Sequence, residues 1–344
     1  MSIIEILKKE KNLSDNELKK LLETADFDKE LFAAADEIRR NNYGNKVFIR
    51  GLIEFSNFCK NNCFYCGIRA KNSNVERYRL SKDEILKCCE TGYGLGFRTF
   101  VLQSGEDLYF TDEIICEIVA NIREKFSDCA ITLSIGEKSF FSYYKYKESG
   151  ADRFLLRHET ANLEHYSKLH PSEMSFEDRK KSLFELKKLE FQVGSGFMVG
   201  TPLQTTENLI EDLRFLQKMQ PEMIGIGPFI PHKDTPFANE KSGTLELTLR
   251  LIAICRLFFP NALIPATTAL GTIAKDGRER GLCAGANVVM PNLSPVRVRE
   301  KYLLYDNKIN TGEEAAEGLS ALEKQVKNAG YEIVVGRGDA KILY

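Results

Sequence analysis

The sequence predicts an α/β protein: a closed (βα)8 barrel of the TIM type, with an N-terminal helical extension. Three observations lead there. Eight apolar runs of strand length recur between Val47 and Asn292, and near-continuous apolarity suits parallel strands buried on both faces. Helical patterns separate most of these runs, the rhythm of a parallel sheet with helical crossovers. Eight rounds within 344 residues fit closure into a barrel better than an open doubly wound sheet.

Residues 1–45 read as the helical extension. Ser14 starts a helix there, because SDNE places Glu17 three residues after a serine cap and ahead of LKKLLE, the pattern of a capping box. A second helix over Lys29 to Arg40 puts Leu31, Ala34, Ala35 and Ile38 on one face. Both are expected to pack outside the main body.

The barrel itself spans residues 46–310, with strands at VFIRGLIEF, FRTFVLQS, AITLSIG, RFLLRHE, FQVGSGFMVG, EMIGIGPFI, LIPATTAL and NVVMPN. Helices are predicted over Lys82 to Gly94, Asp112 to Lys125, Ser139 to Ser149, Phe176 to Leu189, Thr206 to Lys218 and Thr244 to Phe259. Residues 311–344 read as a charged helix and a closing, strand-like run.

Composition excludes several classes of function. With 48 basic against 49 acidic residues, there is no electrostatic footprint for nucleic acid or an anionic membrane. The charged N-terminus lacks an apolar core of signal-peptide length and no run approaches a membrane span, so a cytoplasmic protein is expected. Cys88, Cys89, Cys116, Cys255 and Cys283 mostly sit in apolar helical patterns, where free cysteines act as small hydrophobes. A disulfide framework is not expected.

The chemistry concentrates after the first strand, in FSNFCKNNCFYCGIR, where Cys59, Cys63 and Cys66 stand in a C-x3-C-x2-C spacing. A structural zinc site would want a fourth ligand to close its tetrahedron, and no second Cys or His pair at comparable spacing offers one. Three thiolates can instead hold three corners of a four-iron, four-sulfur cluster and leave one iron open.

In a barrel the site forms at the C-terminal strand ends. The second run ends Gln103-Ser104-Gly105-Glu106-Asp107, where a glycine permits close backbone approach to a ligand. The fourth ends Arg157-His158-Glu159. Residues two apart on a strand share a face, so Arg157 and Glu159 suit a zwitterion or form an ion pair that tightens the barrel. His158 faces the other way, into packing. Thr267 and Thr268, read as part of the seventh strand, put at least one hydroxyl into the lumen. By composition alone Arg179 reads as a solvated helix charge, and Met223 and Met290 as core methionines.

The three-cysteine motif with Tyr65 before its last cysteine resembles the signature of radical S-adenosylmethionine (SAM) enzymes. The segments IEFSNFCKNNCFYCGIR, VLQSGED, LLRHETAN, MVGTPLQT, GIGPFIPHKDTPFANE, IPATTALGTI and GANVVMPNLSP further resemble the HydE family, the radical SAM maturases of iron-iron hydrogenases, from about Phe32 to Lys308. This resemblance implies a barrel with a deep cavity, SAM at its upper rim and substrate below. It assigns Cys59, Cys63 and Cys66 to the cluster, Gln103, Ser104, Glu159, Arg179 and Tyr302 to SAM, and Arg157, Thr267, Thr268, Met223, Met290 and Tyr305 to the substrate cavity.

The same resemblance implies reductive cleavage of SAM to a 5′-deoxyadenosyl radical, which attacks a cysteine-bound iron carbonyl cyanide complex supplied by a second maturase. An electron donor is implied as a partner. Members of the family often carry a second, C-terminal cysteine set, whereas the last cysteine here is Cys283, so one cluster is expected. A methylornithine synthase-like radical SAM mutase is similar in its leading segments. A non-enzymatic iron-sulfur chaperone is the contrasting reading, and it would have no use for the SGED and RHE strand ends.

Overall fold

The structure, a computed structural model, describes residues 2–309, 312 and 314–341. A six-stranded parallel sheet runs through Gly51–Ser56, Thr99–Ser104, Ala130–Ser134, Arg153–Leu155, Gln192–Ser195 and Met223–Ile224. Single parallel bridges carry the ring onward: Met223 pairs with Leu263, Pro265 with Val288, and Asn292 with Leu52 on the first strand. The eight positions therefore close on themselves, with the short seventh segment held by bridges alone.

Three predicted strands are interrupted. The first run breaks at Arg50: Lys46–Ile49 pairs with Val288–Val289 and with the C-terminal strand Glu332–Val334, whereas Gly51–Ser56 pairs with Thr99–Ser104. The fifth and sixth runs break near their glycines, and their outer halves Met198–Val199 and Gly227–Pro228 pair separately. Glycine inside a strand favours such breaks. LIPATTAL is a strand only at its start. Thr267 is the N-cap of the helix Thr268–Ile273, its hydroxyl oxygen accepting from Leu270 N, so the expected pair of strand threonines is a strand-to-helix corner.

The crossover helices follow their sequence signals closely. Lys82–Gly94 and Asp112–Lys125 have the predicted bounds, the first opening with a Ser81/Glu84 capping box. Ser14 and Glu17 form the expected box ahead of Asp15–Glu23. That helix and Asp28–Tyr43 pack on the outer helix layer, where Arg250 Nε donates to Asp28 Oδ1 at 2.7 Å. No helix among the described residues is long and apolar enough to cross a membrane.

The C-terminal tail closes the barrel floor. Arg153, fully buried on the fourth strand, donates to Asp339 Oδ1 at 2.7 Å, to the carbonyls of Arg337 and Gly338, and to Thr99 and Gln192. Substrate access is thereby left to the other end, where the strands finish.

Candidate active site

Between the first strand and the helix Lys82–Gly94 lies an irregular loop whose carbonyls need donors. Arg77 supplies them, its two terminal nitrogens donating to Asn57 O, Ile68 O, Arg69 O and Asn72 O. Arg79 makes a two-point contact with Asp107 at 2.7 and 2.9 Å, and Ser56 Oγ donates to the same carboxylate at 2.6 Å. Burial works against the Asp107 charge, but these donors hold its carboxyl below the usual range. Asp107 is thus an anchor for the strand end.

Gly105 serves the loop rather than a ligand: a Cβ there would meet Phe58 O at 2.2 Å. Its removal of a side chain lets Glu106 N donate to Cys59 Sγ at 3.4 Å. Gly136, in the left-handed region at φ 74°, plays the same part for the third strand, where a Cβ would strike Glu106.

All three thiols are pushed up by burial, Cys63 to about 12 and Cys66 well above its ordinary value. Each of Cys63 and Cys66 also feels the charge of its companions. Among the described residues, no three Cys, His, Asp or Glu side chains converge tightly enough for one metal ion. In a polynuclear cluster each thiolate would bond a different iron. Binding positively charged iron would supply the compensation these buried sulfurs otherwise lack.

Around the thiols the fold gathers groups that the sequence scatters. Tyr65 OH and His170 Nε2 are 3.1 Å apart, and burial pushes the His170 imidazole down to about 3, keeping it neutral. Arg179 is buried, not solvated: it faces Glu137 Oε1 at 2.5 Å and donates to Arg157 O at 3.3 Å. Burial opposes the Arg179 charge, yet Glu137 and nearby tyrosines raise its pKa overall. Burial raises Glu137, with Arg179 pulling against it.

Arg157 and Glu159 meet at 2.9 Å. Strand alternation is not the reason, since Glu159 has φ 65°, a left-handed geometry uncommon for a residue with a side chain. The charges are close without hydrogen-bond alignment: Arg157 Nε and Nη2 and Glu159 Oε2 are buried and lack such partners. Gln103 Nε2 donates to Tyr302 OH at 3.3 Å, while Ser104 turns its hydroxyl onto Gly105 O. His158, one residue from Arg157, packs as expected, 2.9 Å from Ser195 Oγ.

Deeper in the barrel, Met223, Leu263 and Val288 form a small apolar cluster with Met290 against it. Arg278 Nη2 approaches Thr268 Oγ1 at 3.5 Å. Burial raises the Tyr305 hydroxyl to about 12. The sequence reading missed Arg50, Glu54, Arg77, Glu137 and Lys308; a charged residue inside an apolar strand run was the available signal for the first two. A cleft of about 520 Å³ beside Lys180 and Phe215 lies on the outer helix layer, apart from this chemistry.

Residues 53–216 match the family described as the Radical SAM superfamily. The chain is 48% identical over 304 residues to the [FeFe] hydrogenase maturase subunit HydE of Thermotoga maritima, covering 88% of this chain and 86% of that one. It belongs to the HydE family of radical SAM enzymes. It is also 33% identical to 3-methylornithine synthase of Methanosarcina acetivorans, over 93% of this chain and 90% of the other. A crystal structure of methylornithine synthase superposes with a TM-score of 0.85 at 30% identity, covering 97% of both chains. HydE membership implies a four-iron, four-sulfur cluster and SAM as cofactors. The three buried thiols on one loop and the unaligned polar atoms of Arg157 and Glu159 fit those groups.

Proposed function

We propose that this chain is a hydrogenase maturase that cleaves SAM reductively at a single four-iron cluster. Its substrate would be a cysteine-bound iron carbonyl cyanide complex, acted on during assembly of the two-iron unit of an iron-iron hydrogenase. The observation that carries this reading is the 48% identity with a HydE subunit across 88% of the chain. Other hydrogenase maturases and an electron donor are its expected partners, with no role for nucleic acid or a membrane.

When bound, the cluster and SAM supply a carbon radical; the protein's work is to place groups around it and exclude water. Cys59, Cys63 and Cys66 hold the cluster. Gln103, Ser104, Glu159, Arg179 and Tyr302 are assigned to SAM, whose ammonium and carboxylate ask for one acceptor and one cation. Arg157 would offer a planar fork to a carboxylate, and Thr267 and Thr268 neutral donors. Met223, Met290 and Tyr305 would complete the lining.

The test is maturation. Hydrogenase made without this chain should gain hydrogen evolution when the purified chain is added with the other maturases, SAM and reductant. Hydrogenase that stays inactive with this chain, yet activates with the Thermotoga protein in the same mixture, would contradict the assignment.

A second reading is favoured by the superposition with methylornithine synthase. It would require a lumenal acid free to receive the second ammonium of lysine.

A further inference from the structure

Alternate residues of a strand share a face, so Leu52 and Glu54 of Gly51–Ser56 point the same way, and Glu54 stands in register with Gln103 of Thr99–Ser104. That way is the lumen, because Gln103 Nε2 donates to the buried Tyr302 OH beyond the eighth strand at 3.3 Å. Glu54 is thus a lumenal carboxylate, its side chain 2% exposed. It already has a cation. Lys308 Nζ lies 2.5 Å from Glu54 Oε1 and 3.1 Å from Tyr302 O, and Asn292 Nδ2 donates to the second carboxylate oxygen at 2.7 Å.

Lys308 arrives on a strap, residues 300–309, that follows the eighth strand and crosses the mouth. Asn57 Nδ2 donates to Lys301 O at 2.6 Å, Gly67 N to Leu304 O at 2.9 Å, and Asp306 N to Pro231 O at 3.0 Å. The strap therefore spans from the cysteine loop to the end of the sixth strand before turning its lysine inward. A lysine ammonium on a tether occupies the acidic place that a diamino-acid substrate would need.

We infer that Lys308 is a specificity-determining residue whose ammonium fills the Glu54 subsite, so that the lumen rejects a substrate bearing a second ammonium and favours an anionic one. The inference rests on the maturase reading and deepens it. Charge bookkeeping follows from the pairs: Arg157 faces Glu159 and Lys308 faces Glu54. Without Lys308, Glu54 would be left as a lumenal carboxylate with no cation beside it. A free ammonium must also displace one held nearby by covalent connection, which acts as a high local concentration.

The experiment compares equilibrium binding of L-lysine with L-norleucine, which has a methyl group where lysine has the ammonium, to reconstituted protein with SAM. Wild type is expected to show no preference for lysine. Lys308→Met should prefer lysine by about tenfold, the ratio one charge-assisted hydrogen bond provides, and Lys308→Met combined with Glu54→Gln should lose that preference. Lys308→Gln keeps a donor for Glu54 and should show the preference at reduced size, which covers the case where the Met variant does not fold.

Absence of the preference in the folded Lys308 variant, or its persistence in the double variant, overturns the inference alone. Wild type that prefers lysine overturns both the inference and the maturase reading. Failure of wild type to mature hydrogenase, with the Lys308→Met preference present, leaves the inference standing and removes only that reading.

Discussion

Both ends of the barrel bury arginines against acids, and the two ends use them differently. On the floor, Arg153 has all three of its nitrogens engaged, with Asp339, Thr99, Gln192 and two tail carbonyls as acceptors. At the mouth, Arg157 and Glu159 are as close as a salt bridge but leave buried nitrogen and oxygen atoms without aligned partners. Burial of a charge is common to both pairs; complete hydrogen bonding of the arginine is found only in the floor pair. A satisfied network rigidifies, whereas an unsatisfied one carries a cost that a ligand can relieve.

The largest effect expected at the mouth is loss of the cluster. Cys63→Ala should abolish iron-sulfur absorbance after anaerobic reconstitution while far-ultraviolet circular dichroism stays unchanged, because the loop is irregular and lies above the strands. Global unfolding of that variant would make the mouth structural, like the floor.

Arg153→Met should reverse the pattern. Breaking a buried ion pair costs about 3–5 kcal/mol, and the low end applies here because Asp339 is partly exposed. Anaerobic denaturant titration should register that loss while SAM affinity holds. A variant as stable as wild type would remove the contrast.

Glu159→Gln sharpens the same contrast from the other side. It should weaken SAM binding by about 1.5–3 kcal/mol, the worth of a hydrogen bond to a charged group, with a smaller loss of stability than Arg153→Met. Calorimetric affinity equal to wild type would move Glu159 out of the site.

A pH-dependent effect concerns His158, which burial pushes down to about 3. The folded chain then stays neutral there while the unfolded chain takes up a proton below about pH 6.5. Stability supplied by this group is therefore present above about 6.5 and declines on acidification toward 3, at up to about 1.4 kcal/mol per pH unit. Asp212 is pushed up by burial, so its own dependence runs the other way. The wild-type stability profile should fall more steeply between pH 6.5 and 5 than that of His158→Gln; parallel profiles would contradict the neutral assignment.

Much of the fold was legible because its signals are local. Capping residues set the bounds of Lys82–Gly94 and Asp112–Lys125, and apolar runs marked the eight strand positions. Breaks at Arg50 and at Thr267 were not legible, since each depends on which neighbour the strand can still pair with. The cysteine triplet was readable from spacing alone. Arg179 was not, because a charge among the acidic and basic residues of FEDRKKSLFELKK looks solvated until Glu137 and Arg157 are brought to it from two other strand ends. Lys308 reaches Glu54 across 254 residues of sequence, a separation no local pattern encodes.

The most direct test gives purified, reconstituted enzyme two substrates in separate anaerobic reactions, each with SAM and reductant. One receives lysine and the other the cysteine-bound iron carbonyl cyanide complex. Consumption of the iron complex, with lysine recovered unchanged, is the predicted result. Conversion of lysine to methylornithine, with the iron complex untouched, would contradict the maturase account.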